Sequence, residues 1–94
     1  MIKEIKRTSQ FKKDYKKAIK RGCKEEDFRK VLEYLVEQKP LPSKYRDHQL
    51  INCKEYKNVR ECHINPDWLL IYRVNKNCLI LDLVRTGTHS ELFV

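Results

Sequence analysis

Apolar residues recur at Phe11, Tyr15, Ala18 and Ile19, the i, i+4, i+7 and i+8 spacing of one helix face, with Lys12, Lys13, Lys16, Lys17 and Lys20 largely off it. Thr8 and Ser9 supply N-cap chemistry before that stretch, and Gly22 suits the C′ position after it. The same spacing returns at Phe28, Val31, Leu32, Leu35 and Val36, behind the acidic residues Glu25, Glu26 and Asp27 that favour a first helical turn. Pro40 is expected to end this second helix, and the short link between the two predicts an antiparallel hairpin. Ile2 and Ile5 suggest a short, charged strand ahead of the first helix.

PLPSKYRDHQLINC, residues 40 to 53, has no sustained period and reads as a surface connection carrying Asp47 and His48. The period then changes to two. YKNVRECHI, DWLLIYRV and CLILDLVRTG read as three consecutive strands, with Asn75, Lys76 and Asn77 forming a tight turn between the last two. Short connections make these an antiparallel meander. The expected fold is α+β: an N-terminal strand and a two-helix antiparallel hairpin packed on one face of a small, mainly antiparallel sheet. Its opposite face, too apolar along LLIYRV to be left bare, is where function is sought.

Ninety-four residues suffice for a single domain spanning 1–94. The formal net charge of +8 adds a partner class: a polyanion such as nucleic acid, an acidic protein or a membrane surface. No apolar run reaches membrane-spanning length and MIKEIKRTSQ does not resemble a signal peptide, so a cytoplasmic protein and no membrane partner are expected. Cys23, Cys53, Cys62 and Cys78 form no CxxC pair and match no common zinc spacing, so they are expected to stay thiols, with no metal or cofactor.

The three histidines, His48, His63 and His89, all fall in loops or at strand ends. Imidazole exchanges a proton near neutral pH, which makes them acid and base candidates. In a meander the start of the second strand and the end of the third share one sheet edge, so Asp67, Arg85 and His89 are expected to meet, with His63 beside them. Imidazoles, a carboxylate and a guanidinium suit phosphodiester cleavage by a ribose 2′-OH, chemistry open to RNA and closed to DNA. Trp68 fits either core packing or a base-stacking platform. The lysine stripe fits either a solvated face or a phosphate track. Phe93 fits either a ring tucked against the sheet or one stacked on a ligand.

DHQL at 47 to 50, RECHINPDWLLIYRV at 60 to 74 and RTGTHSELF at 85 to 93, in that order behind a helical hairpin, resemble the YafQ branch of the RelE-type bacterial toxins. The resemblance implies a RelE-like fold and a ribonuclease that cuts mRNA in the ribosomal A site. It implies as partners mRNA, the rRNA of that site and a cognate antitoxin, expected to carry an acidic or disordered segment. It also implies catalytic roles for His48, His63, Asp67, Arg85 and His89 and site positions for Trp68 and Phe93, which are expected to bind RNA together with the basic helix face of Lys12, Lys13, Lys16 and Lys17. On this expectation His89 is the general acid, Asp67 and His63 share the base and orienting roles, His48 holds the phosphate, and Phe93 stacks on a base. The alternative from another class is a non-catalytic basic module that binds RNA or DNA, or a co-repressor.

Overall fold

The computed structural model describes residues 1–51 and 54–93, so Cys53 lies outside the described residues. Strand β1 (Glu4–Arg7) leads into helices α1 (Ser9–Lys20) and α2 (Glu25–Val36). A 3₁₀ turn (Ser43–Tyr45) and strands β2 (His48–Gln49), β3 (Arg60–Asn65), β4 (Trp68–Asn75) and β5 (Ile80–Gly87) follow, and helix α3 (His89–Leu92) closes the described chain. The sheet order is β1-β5-β4-β3-β2, antiparallel except where β1 runs parallel to β5. The α+β fold with its helical hairpin and central meander is thus as expected. Among the described residues no helix is long and apolar enough to cross a membrane.

Both helices end in the same geometry, for different reasons. After α1 the N–H groups of Gly22 and Cys23 turn back onto the carbonyls of Ile19 and Ala18, and Gly22 takes φ 106°, which costs glycine nothing. After α2 the N–H groups of Gln38 and Lys39 reach Leu35 and Tyr34 in the same way, with Gln38 at φ 58°. The second helix therefore stops before Pro40 acts, at a residue whose type gives no such signal. Left-handed Asn58 and Leu79 likewise delay β3 and β5 beyond their apolar patterns, which begin at Tyr56 and Cys78. The Asn75 side chain accepts the N–H groups of Asn77 and Cys78, so the turn before β5 runs to Leu79.

Alternation along β4 divides the core. Trp68, Leu70 and Tyr72 face the helices and join Phe11, Ala18, Phe28, Val31 and Leu35. Leu69 and Ile71 face the other way, under Val59 and Leu92, with Leu50, Tyr56, Val84 and Phe93 packed around them. The second face is thus not open along β4, as the pattern suggested. The chain after β2 and helix α3 cover its apolar part and leave its polar positions accessible.

Trp68 is 0% exposed, seated against Tyr15 and Phe28, so it is core and cannot stack on a base from this position. Its indole N–H finds no acceptor among the described residues. Asp47 and His48 also depart from the irregular connection expected of them. His48 and Gln49 pair with Glu61 and Arg60 as an edge strand. Asp47 accepts hydrogen bonds from the Arg60 guanidinium, at 2.9 Å from Nη2, and from the Tyr72 hydroxyl. These contacts fasten the segment that delivers His48. Burial and the neighbouring Asp47 carboxylate both push the Tyr72 hydroxyl pKa upward, so it serves as a donor.

Candidate active site on the second sheet face

Register places the polar residues of three strands on the face away from the helices. His63 pairs with Leu69, which pairs with Gly87; Glu61 pairs with Ile71, which pairs with Arg85. Directly opposite residues share a face, so Glu61, His63 and Arg85 join His48, which lies opposite Glu61. Arg85 reaches this face only because β5 bulges. Leu83 pairs with Tyr72 and Arg85 with Ile71, leaving Val84 as an extra residue. Without it, Leu83 and Arg85 would point the same way, into the helix-covered core.

One half of the site centres on Glu61, a carboxylate with only 8% of its side chain exposed. His48 Nε2 lies 3.5 Å and His63 Nε2 3.8 Å from its Oε1. His48 Nδ1 is 2.7 Å from the Arg46 carbonyl, which can only accept, so this nitrogen carries a proton and Nε2 is the one turned to Glu61. Glu61 had not emerged as a site residue from the sequence. Its signal was its place two residues before His63, on the same face of the strand.

The other half centres on Arg85. Its Nε and Nη2 donate to the two oxygens of Asp14 at 2.8 and 3.0 Å, and its Nη1 donates to the Tyr56 hydroxyl at 3.3 Å. Asp14 comes from α1, which starts beside β5 through hydrogen bonds of Thr8 to Leu83 and Val84, past the end of β1. The Asp14 carboxylate also accepts the Thr86 N–H at 3.2 Å and the Gln10 amide at 2.9 Å. Burial alone would push its pKa up, but the bonds from Arg85, Gln10 and Thr86 outweigh that and hold it below the ordinary carboxylate value.

Tyr56 connects Arg85 to the C-terminal segment, since its hydroxyl also donates to the Leu92 carbonyl at 3.3 Å and its ring meets Phe93 edge-on. Phe93 packs on His89, ring centres 5.0 Å apart. These two residues are carried by α3 and not by the strand end and free tail expected of them. The helix starts with a reciprocal cap between Thr88 and Glu91. The Glu91 carboxylate also binds Lys17 at 2.7 Å and Arg21 at 3.0 Å, which ties α3 to α1. Lys17 is therefore engaged in the fold, unlike the exposed Lys12, Lys13 and Lys16, which carry no ion pair among the described residues. Gly87 makes room for this clasp, because a Cβ there would meet Glu91 Oε1 at 2.8 Å.

Contact with Lys17, then the Thr88 N–H, then Arg21 lowers the Glu91 pKa to about 2 against the opposing effect of burial. A lowered carboxylate pKa stabilises above its unfolded value of 4.5, and the contribution is lost as pH falls from there toward 2. Amide protection factors of α3 should therefore drop across that window. In Glu91→Gln they should be low already at neutral pH, and unchanged protection in that variant would mean that the clasp does not hold the helix.

Of the residues expected to meet, the turn bearing Asp67 and the start of α3 do share one sheet end. Arg85 lies further along, opposite Ile71, and pairs with Asp14 instead of Asp67. Asp67 is exposed and has no ion pair among the described residues. The site is thus two clusters, His48–Glu61–His63 and Arg85–Tyr56–Phe93–His89, on either side of β4 and roughly 10 Å apart by strand spacing. It is open to solvent, offers imidazoles on both sides of β4 and a guanidinium on the β5 side, and suits a phosphodiester laid across the sheet.

The sequence profile of the bacterial toxins of type II toxin-antitoxin systems named YafQ matches residues 3–94. The chain belongs to the YafQ toxin family. It is 37% identical over 92 residues to the mRNA interferase toxin YafQ of Escherichia coli strain B / BL21-DE3, covering 97% of this chain and 96% of that protein. The E. coli DinJ–YafQ complex contains a similar fold, with TM-score 0.86, 36% identity and full coverage of both chains. A metal-bound toxin from Helicobacter pylori superposes with TM-score 0.89 at 42% identity, covering 99% of this chain and 100% of that one.

Among the described residues no three or more His, Cys, Asp or Glu side chains gather to hold a metal. His48, Glu61 and His63 come nearest, with both imidazole Nε2 atoms within 4.0 Å of one Glu61 oxygen. Cys23, Cys62 and Cys78 are free thiols. Burial, chiefly, pushes the Cys62 pKa up, so it is inert packing.

Proposed function

We propose that this chain is an endoribonuclease that cleaves mRNA in the ribosomal A site and is held inactive by a cognate antitoxin. The observation that carries the reading is a pair of imidazoles around Glu61 on one side of β4 and a guanidinium with a third imidazole on the other, all on the accessible part of one sheet face. The mRNA interferase name of the E. coli relatives supports the substrate class.

In the proposed reaction His63, oriented by Glu61 and assisted by Asp67, removes the proton of the ribose 2′-OH. The 2′-oxygen attacks the adjacent phosphorus, and the P–O5′ bond breaks. His89 gives its proton to the departing 5′-oxygen, leaving a 2′,3′-cyclic phosphate and a 5′-OH. An arginine has five N–H donors; Asp14 and Tyr56 take three of those of Arg85, so two remain for the charge on the pentacoordinate phosphorus. His48 assists at the phosphate, and Phe93, half-buried against Tyr56, offers a ring face to a base. No metal takes part.

An open site has few means of holding RNA in line for attack, and positioning supplies much of the barrier reduction in such a reaction. A ribosome that already fixes the codon supplies it, with Lys12, Lys13 and Lys16 docking on rRNA. The antitoxin is expected to lay an acidic segment, unfolded when alone, over this face. The E. coli relative's complex with DinJ supports a protein partner.

Mapping the ends made from one mRNA, free and on ribosomes with an empty A site, tests the proposal. Cleavage on ribosomes only, with a 5′-OH end, no cut at a 2′-deoxy position, and an unchanged rate after the toxin is stripped with a chelator is expected. Salt-sensitive RNA or DNA binding without cleavage would instead make the chain a basic binding module.

A further inference from the structure

Beyond His63 the accessible face continues into a cleft of about 190 Å³ walled by Lys44, Arg46, His63 and Pro66. A second cleft, of about 330 Å³, adjoins it through Lys44 and Pro66 and ends at Lys30 and Asp27 of α2. The cations around the site fall into two groups. Lys17, Arg21, Arg60 and Arg85 each lie within 4.0 Å of a carboxylate. Among the described residues, Lys44 and Arg46 have no such partner.

Arg46 is also held in an unfavourable conformation. It has φ 50° and ψ 41°, left-handed values that a side chain larger than that of asparagine rarely takes. Its N–H donates to the Ser43 carbonyl at 3.1 Å, and its own carbonyl accepts from His48 Nδ1. The strained residue thus sets the His48 ring and presents its own guanidinium to the cleft beside His63. Lys44 is steadied by the Tyr45 ring, 5.0 Å from its Nζ. A fork of guanidinium donors and an ammonium point charge flanking an imidazole form a receptor for a phosphate.

We infer that the Lys44–Arg46 cleft binds the RNA phosphate one nucleotide upstream of the cleaved bond. The direction rests on the acid and base roles proposed above. The 2′-OH belongs to the nucleotide on the 5′ side, so the base His63 marks that side and the acid His89 marks the downstream one. The cleft lies on the far side of His63 from His89, where the 5′-phosphate of the attacking nucleotide must go. Asp27 closes the adjoining cleft with negative charge, so the track ends there.

The test pairs Lys44→Gln/Arg46→Gln with neutral methylphosphonate linkages placed singly in an mRNA whose codon fills the A site. The double variant should lose about 10- to 100-fold in cleavage rate at limiting toxin and less than about threefold at saturating toxin. An upstream methylphosphonate should cost wild type a similar factor and the variant nothing further, whereas a downstream one should cost both equally. Wild-type kinetics in the variant, or coupling to the downstream linkage, overturns the inference and leaves the ribonuclease reading intact.

If wild type cleaves nothing, that reading fails, and a titration decides the cleft by itself. A 2′-deoxy dinucleotide with a 5′-phosphate should shift the Arg46 Nε–H resonance saturably, and the same dinucleotide without that phosphate should not. Equal response to both, or none, overturns it.

Discussion

Replacing His89 by alanine should slow single-turnover cleavage of ribosome-bound mRNA about 10²- to 10⁴-fold, the range for loss of a general acid. It should cost the fold little. His89 is exposed, its ring packs on Phe93, and the capping of α3 rests on Thr88 and Glu91. A substrate with sulfur in place of the bridging 5′-oxygen leaves without needing a proton, so on it the variant should recover most of its rate. If the variant stays as slow on that substrate as on the natural one, His89 positions the RNA and another group is the acid.

The same experiment on Glu61→Gln separates orientation from proton transfer. Glutamine keeps an oxygen near both imidazoles but removes the charge that aligns them. The rate should fall, and the bridging-sulfur substrate should not restore it, because His89 is untouched and the impaired group is the base His63.

The residues that the sequence could not place share a physical reason. The helices and central strands were legible because their apolar periods match their burial, and Phe11, Phe28, Leu70 and Leu81 all face the core that the pattern predicts. Arg85 was not, because a single extra residue at Val84 reverses the face of everything after it, and nothing in LDLVRTG marks the bulge. Asp14 looks like one more charge on a basic helix, although its i+3 spacing from Phe11 and i−4 spacing from Ala18 put it on the buried stripe. Helix α3 was legible in principle: Thr88-His-Ser-Glu91 is a capping-box pattern, obscured by the apolar ring expected on a loose tail. Trp68 shows the limit of motif reasoning, since an aromatic residue among site residues can belong wholly to the core behind them.

Asp14→Ala should be the most destabilising of the polar substitutions considered, by about 2–4 kcal/mol, toward the lower end for breaking a buried ion pair because Arg85 keeps 24% of its side chain exposed. The melting temperature should fall on the order of 10–25 °C for a domain of this size. Three groups lose their acceptor at once: the Arg85 guanidinium, the Thr86 N–H and the Gln10 amide. Burial makes the loss costly at Thr86 and, in part, at Arg85, whereas the exposed Gln10 amide can turn to water. Asp14→Asn should fall between, keeping an oxygen for Thr86 but not the charge.

The informative variant is the double replacement Asp14→Leu/Arg85→Met. Apolar residues of similar volume often match or exceed a buried ion pair in stability, so most of the lost melting temperature should return while cleavage does not. That split would assign the Asp14–Arg85 pair to the reaction, with Asp14 as the residue that positions the guanidinium. If cleavage returned together with stability, Arg85 would be only a structural tie between α1 and β5, and the charge on the phosphorus would have to be met by the histidines alone.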